Sequence, residues 1–385
     1  MNLSLADYRI VDADLVNIMT PALAIYPKFV EHNIQVTLAE CGNDPNRWRP
    51  HIKTNKLPST MRRFMQHGVK QFKAATTLEL LTLCQIGAPD ANLAYSLVGA
   101  NARRTCDIAA QFPNTRVSAT IEHPSQLKAW VGSKVALYVD VNPGMNRSGL
   151  PQARVGDIVA LTQAIIAAGV EFAGIHYYDG HLSHLAMPER TIAAHQNYDG
   201  LMTLIAAING VGIRVPEVVT SGTPAYPCAL TYAPFRGANF VHRVSPGTVI
   251  YADMSFPKIL PQLDYKPAAV VIAHVASQPA PNRVTAYAGH KALSADAGIP
   301  TGEVIGHADW SPKGPSEEHL PIDVPAGSPL PEIGEVLYFV PRHVCPTVNN
   351  FDHALIIEEG HIVAVEDIAA RGRENPVWGN LKLKM

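Results

Sequence analysis

Arg49-Pro50-His51-Ile52-Lys53-Thr54-Asn55-Lys56 reads as a short strand that ends on a lysine, at the head of a long alternation of strands and helices. From about residue 48 to residue 245 the chain repeats one pattern: a short apolar run, a loop, then an amphipathic helix. The expected strands are Trp48–Lys53, Lys70–Ala75, Asn92–Ser96, Arg116–Thr120, Val135–Val141, Phe172–His176, Glu217–Thr220 and Asn239–Val244. Eight is the number that closes a barrel. Helix signals fall between them. Pro58 suits a first helical position and Gly68 a helix end. Thr76, with Glu79 three residues on, reads as a capping box before Leu80, Leu81 and Leu83, and Gly87 closes that helix. Such alternation argues for a parallel sheet, most simply a (β/α)8 TIM-type barrel, with a doubly wound open sheet as the alternative.

Past residue 246 the texture changes: proline and glycine rise, helical periodicity fades, and strand-like runs appear at Ala268–Val275, Arg283–Ala288, Glu335–Phe339, Ala354–Ile357 and His361–Val365. Glu358-Glu359-Gly360 reads as a hairpin turn between the last two. Pro21–Tyr26 is a strand with no barrel helix before it, which assigns it to this second, mostly β domain. The expected division is a barrel over 27–245 and a discontinuous β domain over 1–26 and 246–385.

The 385 residues are 47% hydrophobic and 17% charged, with a formal net charge of −2. That balance offers no basic field for nucleic acid and no polybasic membrane patch. The N-terminal stretch lacks a basic region followed by an apolar core, and no apolar run reaches membrane-spanning length. Five cysteines, scattered singly (Cys41, Cys84, Cys106, Cys228, Cys345), disfavour a disulfide framework and fit a reducing compartment. The expectation is a cytoplasmic enzyme or small-molecule binder.

In a barrel, chemistry gathers where strands end at the C-terminal face. Lys53 ends the first expected strand, and a desolvated lysine amine forms Schiff bases with carbonyls. Met145-Asn146-Arg147-Ser148-Gly149 follows the fifth strand, Asp179-Gly180-His181 the sixth and Thr220-Ser221-Gly222-Thr223-Pro224 the seventh. The last of these has hydroxyls and a glycine where barrels bind phosphate; it is also an ordinary turn sequence. Pro341-Arg342-His343-Val344-Cys345-Pro346-Thr347-Val348-Asn349 forms a second constellation. On a strand, His343 and Cys345 would face the same way, a pair suited to zinc with open positions for water or substrate. A packed histidine and cysteine is the plainer alternative.

Taken together, the chain resembles the D-threonine aldolase and D-serine dehydratase family, with an alanine-racemase-like N-terminal barrel and a β C-terminal domain. The resemblance rests on Arg-Pro-His-x-Lys-Thr at 49–54 and His-x-Cys-Pro-Thr-Val-Asn at 343–349. Met145-Asn146-Arg147-x-Gly149, Tyr178-Asp179-Gly180-His181, Lys291-Ala292-Leu293-Ser294 and Ser316-Glu317-Glu318-His319 add to it. It implies pyridoxal 5'-phosphate on Lys53, with Arg147 at the cofactor's phenolic oxygen. Tyr178, Ser221, Gly222, Thr223 and Tyr251 are the implied phosphate or ring contacts, and His343 and Cys345 the ligands of a zinc or manganese ion. It further implies a homodimer and a small D-3-hydroxy-amino acid as substrate.

Two chemistries follow from the resemblance: retro-aldol cleavage to glycine and an aldehyde, or dehydration of D-serine or D-3-hydroxyaspartate to a keto acid and ammonia. His181 and His176, at the end of the sixth strand, are the candidate bases. Cys345 suits the dehydratases, since typical aldolases carry aspartate there, whereas Pro346-Thr347-Val348-Asn349 suits the aldolases; the expectation leans to the aldolase. An amino-acid racemase is more remote, because Ser245 stands where racemases place an arginine before Pro-Gly. A pyridoxal-phosphate-binding homeostasis protein is equally remote, since such proteins are single barrels.

Overall fold

Seven parallel strands follow one another in space in the order in which they occur along the chain. They are β1 (Gln71–Ala74), β2 (Asp90–Ser96), β3 (Arg116–Ile121), β4 (Ala136–Asn142), β5 (Phe172–Tyr177), β6 (Glu217–Thr220) and β7 (Val241–Val244). This computed structural model describes residues 3–377; residues 1, 2 and 378–385 of the expected β domain lie outside them. The described chain divides into two units. One comprises the chain up to Thr37, Thr54–Thr60 and Thr248–Arg371; the other comprises Leu38–Lys53, Met61–Gly247 and the chain from Gly372 onward.

In the second unit five of the seven strands lead into a connecting α-helix, the usual crossover between parallel strands. Thr77–Gln85 follows β1, Gly99–Gln111 β2, Val155–Ala167 β4, Met187–Gly210 β5 and Tyr226–Thr231 β6. Thr76 caps the first of these, its Oγ1 accepting from Glu79 N at 3.0 Å, while Glu79 reaches back to Ala75 N at 2.6 Å. Gly68 and Gly87 both take the positive φ that ends a helix. Ala136, Tyr138, Ala173 and Val219 form a buried cluster on β4, β5 and β6.

The expected first strand departs from its reading. Trp48 and His51 make only isolated bridges, to Val244 of β7 and Lys73 of β1 respectively. Arg49 N donates to Val244 O, Lys73 N to Pro50 O and Ile52 N to Lys73 O, each at 2.9 Å, so the segment bonds to both outer strands of the sheet. Pro50 has no N–H to continue a ladder, and the chain turns at Ile52–Asn55.

Arg49 is fully buried, and its guanidinium meets Asp90 Oδ1 at 2.6 Å and Glu217 Oε1 at 3.0 Å. Arg116 joins Asp90 at 3.1 Å, and Arg243 pairs with Glu217. These carboxylates stand at the starts of β2 and β6, so the network ties together the N-terminal ends of the strands.

The first unit is built on an antiparallel sheet. Ala269–Ala280 pairs with Ala22–Ile25, Arg283–Ala286 and Val336–Pro341, and Ala22–Ile25 also pairs in parallel with His353–Glu358. His353–Glu358 and His361–Asp367 form a hairpin, with Glu359 and Gly360 at positive φ in its turn. Tyr8, Ile10, Tyr26, Val270, Ile272, Tyr338 and Val340 are among the residues of its core.

Candidate functional site

The C-terminal ends of β1, β4, β5 and β6 gather the second unit's polar side chains. Lys53 is exposed, and its backbone N–H donates to His51 Nδ1 at 3.4 Å. Arg147 and Tyr178 are brought together: the guanidinium carbon lies 4.7 Å from the ring centroid, a cation–π arrangement. Tyr178 also wedges against two glycines. A Cβ on Gly222 would lie 2.7 Å from Tyr178 Cε2, and one on Gly180 would lie 2.4 Å from its hydroxyl oxygen. Neither position has room for a side chain.

Ser221, Gly222 and Thr223 are buried behind β6, and Ser221 holds a left-handed φ of 56°. That conformation is fixed by the Ser221 hydroxyl, which donates to Asp179 Oδ2 at 2.8 Å, and by Tyr198, which donates to the same oxygen at 2.6 Å. Burial raises the Asp179 carboxyl above its usual range, with those two hydrogen bonds pulling the other way. Arg190, on Met187–Gly210, donates to Pro224 O and Leu185 O at 2.7 Å each, joining this loop to the one after β5. Ser245 is buried and donates to Arg49 O at 2.9 Å. The position thus holds a neutral hydroxyl.

His176 and His181 differ sharply. His181 is half-exposed, with Nδ1 buried and without a hydrogen-bond partner among the described residues. Burial holds its pKa below the ordinary histidine value, against the pull of Asp179. His176 is buried with both ring nitrogens engaged: Nδ1 lies 2.7 Å from Asp140 Oδ1 and Nε2 lies 3.0 Å from Lys73 Nζ. Lys73 and Asp140 were not singled out in the sequence. The structure buries all four residues of the strand Gln71-Phe72-Lys73-Ala74, a feature the local sequence does not carry.

The first unit holds the other constellation. The strand expected through His343 and Cys345 ends at Pro341; His343 is the N-cap of a helix, Val344–Asn349. Pro346 favours this, because its missing N–H costs nothing in a first helical turn. Asp253 accepts from Val344 N at 3.3 Å, and Thr347 Oγ1 donates to His343 O at 2.9 Å. The pair is nonetheless adjacent. A hydrogen bond to Cys345 leads the causes that raise His343 to about 9, burial opposing. Asp296 Oδ2 lies 2.6 Å from His343 Nδ1, and Thr54 Oγ1 lies 3.1 Å from Cys345 Sγ. A carboxylate behind a histidine is the support that metal-ligating imidazoles use. Among the described residues no cluster of three or more His, Cys, Asp or Glu could hold a metal. Tyr251 belongs to this unit, its hydroxyl 3.0 Å from Thr60 Oγ1.

Residues 25–255 match the family described as alanine racemase, N-terminal domain, and residues 268–357 match one described as "Putative serine dehydratase domain". The chain belongs to the alanine racemase N-terminal domain family. It is 26% identical to a D-threonine aldolase of Arthrobacter sp over 367 residues, covering 93% of this chain and 94% of that one. A 3-hydroxy-D-aspartate aldolase of Paracoccus denitrificans is 23% identical over 284 residues, covering 69% of this chain and 70% of the relative. The crystal structure of D-threonine aldolase from Filomicrobium marinum superposes with a TM-score of 0.84 at 25% identity, covering 97% of this chain and 98% of that one. D-threo-3-hydroxyaspartate dehydratase from Delftia sp. HT23 shares the fold, with a TM-score of 0.80 at 20% identity, covering 92% and 98% respectively. No helix among the described residues is long and apolar enough to cross a membrane.

The barrel-mouth residues fit pyridoxal phosphate. They combine an exposed amine, an arginine stacked on a tyrosine, and a buried hydroxyl-bearing loop whose glycine faces that tyrosine.

Proposed function

We propose that the chain is a pyridoxal-phosphate- and metal-dependent lyase that cleaves D-3-hydroxy-amino acids between Cα and Cβ, giving glycine and an aldehyde. The observation that carries the reading is the conjunction, within one unit, of the Lys53 amine, the Arg147–Tyr178 stack and the Ser221–Gly222–Thr223 loop. Similarity to D-threonine aldolases along nearly the whole chain supports the substrate class.

Lys53 would hold the cofactor's aldehyde carbon, the Ser221–Gly222–Thr223 loop its phosphate, and Arg147 with Tyr178 its ring and phenolic oxygen. When bound, the cofactor supplies an electron sink for the charge left on Cα. His343 and Cys345 would hold a divalent ion, zinc or manganese, with positions left for water and a substrate oxygen; such an ion is a Lewis acid toward a β-hydroxyl. His181 is the proposed acceptor of the hydroxyl proton: its depressed pKa keeps the ring neutral near pH 7 and able to take one up. Tyr251 is a weaker cofactor contact, because its hydroxyl already bonds Thr60.

Cys345 favours a second reading, dehydration of D-serine or D-3-hydroxyaspartate, in which Lys53 removes the α-proton and hydroxide leaves as keto acid and ammonia form. A racemase is disfavoured because Ser245 supplies no cation. The working form is taken as a cytoplasmic homodimer, which sedimentation tests.

Product analysis on D-threonine, D-serine and D-3-hydroxyaspartate, with and without chelator, decides between the readings. Glycine plus acetaldehyde from D-threonine supports the aldolase; pyruvate plus ammonia from D-serine transfers the assignment to the dehydratase. No turnover of any of the three with metal present overturns both.

A further inference from the structure

Inside the barrel unit an amine, an imidazole and a carboxylate stand in line. Lys73 Nζ is 3.0 Å from His176 Nε2, and His176 Nδ1 is 2.7 Å from Asp140 Oδ1. All three residues are buried, Lys73 at 4% exposure, and they come from three different strands, β1, β5 and β4. A carboxylate orienting an imidazole that accepts from a nucleophilic or basic group is the architecture that activates such a group. The tautomer follows from the geometry: an ionised Asp140 requires N–H at Nδ1, which leaves the Nε2 lone pair for a Lys73 N–H. Lys73 Nζ also lies 5.9 Å from the centroid of the Tyr178 ring, the ring on which Arg147 stacks.

We propose that Lys73 is an acid–base group of the barrel mouth, relaying protons through His176 to a site held by Asp140. In the forward step the Lys73 lone pair takes a proton from an acid bound at the mouth, while the Lys73 N–H already directed at Nε2 passes to the ring. The result is a neutral amine, an imidazolium on the Asp140 carboxylate, and the conjugate base of the acid, so charge and protons balance. The reverse step delivers a proton back.

The electrostatic surroundings agree. Burial first, then the Lys53, Arg49 and Arg147 charges, push the Lys73 amine down to about 7, with Asp140 opposing. His176 is held below its ordinary value by burial and by Lys73, and Asp140, despite burial, below its own by His176. A carboxylate, a neutral ring and an amine poised near neutrality are therefore the resting charges.

The inference rests on reading the barrel mouth as the reaction site, but its first test does not. In full-length protein labelled at the lysine ε-carbon, one lysine resonance should titrate near pH 7. It should vanish in Lys73→Met and move to lower pH in Asp140→Asn, which removes the opposing anion. A Lys73 resonance titrating above pH 9, or unmoved by Asp140→Asn, overturns the relay. The second test adds pyridoxal phosphate and D-threonine. Lys73→Met, and Lys73→Gln should the first variant not fold, retain the Lys53 Schiff-base absorbance while turnover falls by about 10²-fold and its pH profile loses the limb near 7. Turnover with an unchanged pH profile in these variants sinks the relay alone. If the absorbance never forms in the unmodified protein, it is the cofactor reading that fails, and the ε-carbon titration still judges Lys73.

Discussion

His242 is buried on β7, with Nε2 2.8 Å from Thr220 Oγ1 and its ring 4.2 Å from that of Phe235. Burial, helped by the Arg47 charge, pushes its pKa down to about 3. The folded protein therefore refuses a proton that the unfolded chain accepts. The stability tied to this residue is full above the unfolded value of about 6.5 and is lost as pH falls toward 3, at up to about 1.4 kcal/mol per pH unit. His242→Gln should flatten the acid limb of urea-denaturation stability between pH 6.5 and 4, with His176, His181 and the depressed carboxylates Asp90 and Asp140 contributing to the slope that remains; an unaltered limb would count against the assignment. Arg49 has the opposite character, a cation held by carboxylates from two strands. Removing one partner of a buried pair costs about 3–5 kcal/mol. Arg49→Met should lower unfolding free energy by that order, and a loss under 1 kcal/mol would show the network to be dispensable.

Individual elements depend on how closely backbones approach. Gly174, on β5 at a φ of 137°, is where a Cβ would lie 1.9 Å from Glu217 O of β6. No rotamer relieves that overlap, so Gly174→Ala must separate two paired strands, at about 3 kcal/mol or more. A melting temperature within a degree or two of the parent would contradict it. The cap at Thr76 is a milder case, where Thr76→Ala should cost about 1 kcal/mol by the same assay. Element boundaries show how far local rules reach. Thr76, Gly87 and Gly360 were readable as punctuation because each satisfies its rule within a few residues. The segment at 48–53 was expected to be a strand because its apolar content is strand-like; whether Pro50 interrupts a ladder depends on strands that the local sequence does not contain. His343 and Cys345 were expected on a strand, yet the helix that starts at Val344, whose N–H donates to Asp253, keeps them in hydrogen-bond contact.

For the whole molecule, ligand linkage offers a test of each constellation separately. A ligand that binds only the folded state stabilises it by about 2.7 kcal/mol at a hundredfold excess over its dissociation constant. Pyridoxal phosphate should therefore raise the melting temperature and produce a Schiff-base absorbance, both lost in Lys53→Ala and retained in His343→Ala. Chelation should leave the absorbance intact while abolishing product formation. Retention of activity after exhaustive chelation would remove the metal from the proposed reaction.

The amino-acid sequence by itself determined the alternation of strands and helices, the change to β texture past residue 246, and the motifs at 49–54 and 343–349 that carry the resemblance. Those are periodicities and local patterns, and the physics behind them acts over a few residues. The tertiary structure alone decided which polar groups meet. Lys73 and His176 are separated by 103 residues, and Arg49 and Glu217 by 168. Nothing in the local pattern of Gln71-Phe72-Lys73-Ala74 announces an imidazole partner. The contact exists because a parallel sheet brings the interior side chains of β1, β4 and β5 into one dry space, where an unpaired amine is costly and must find an acceptor.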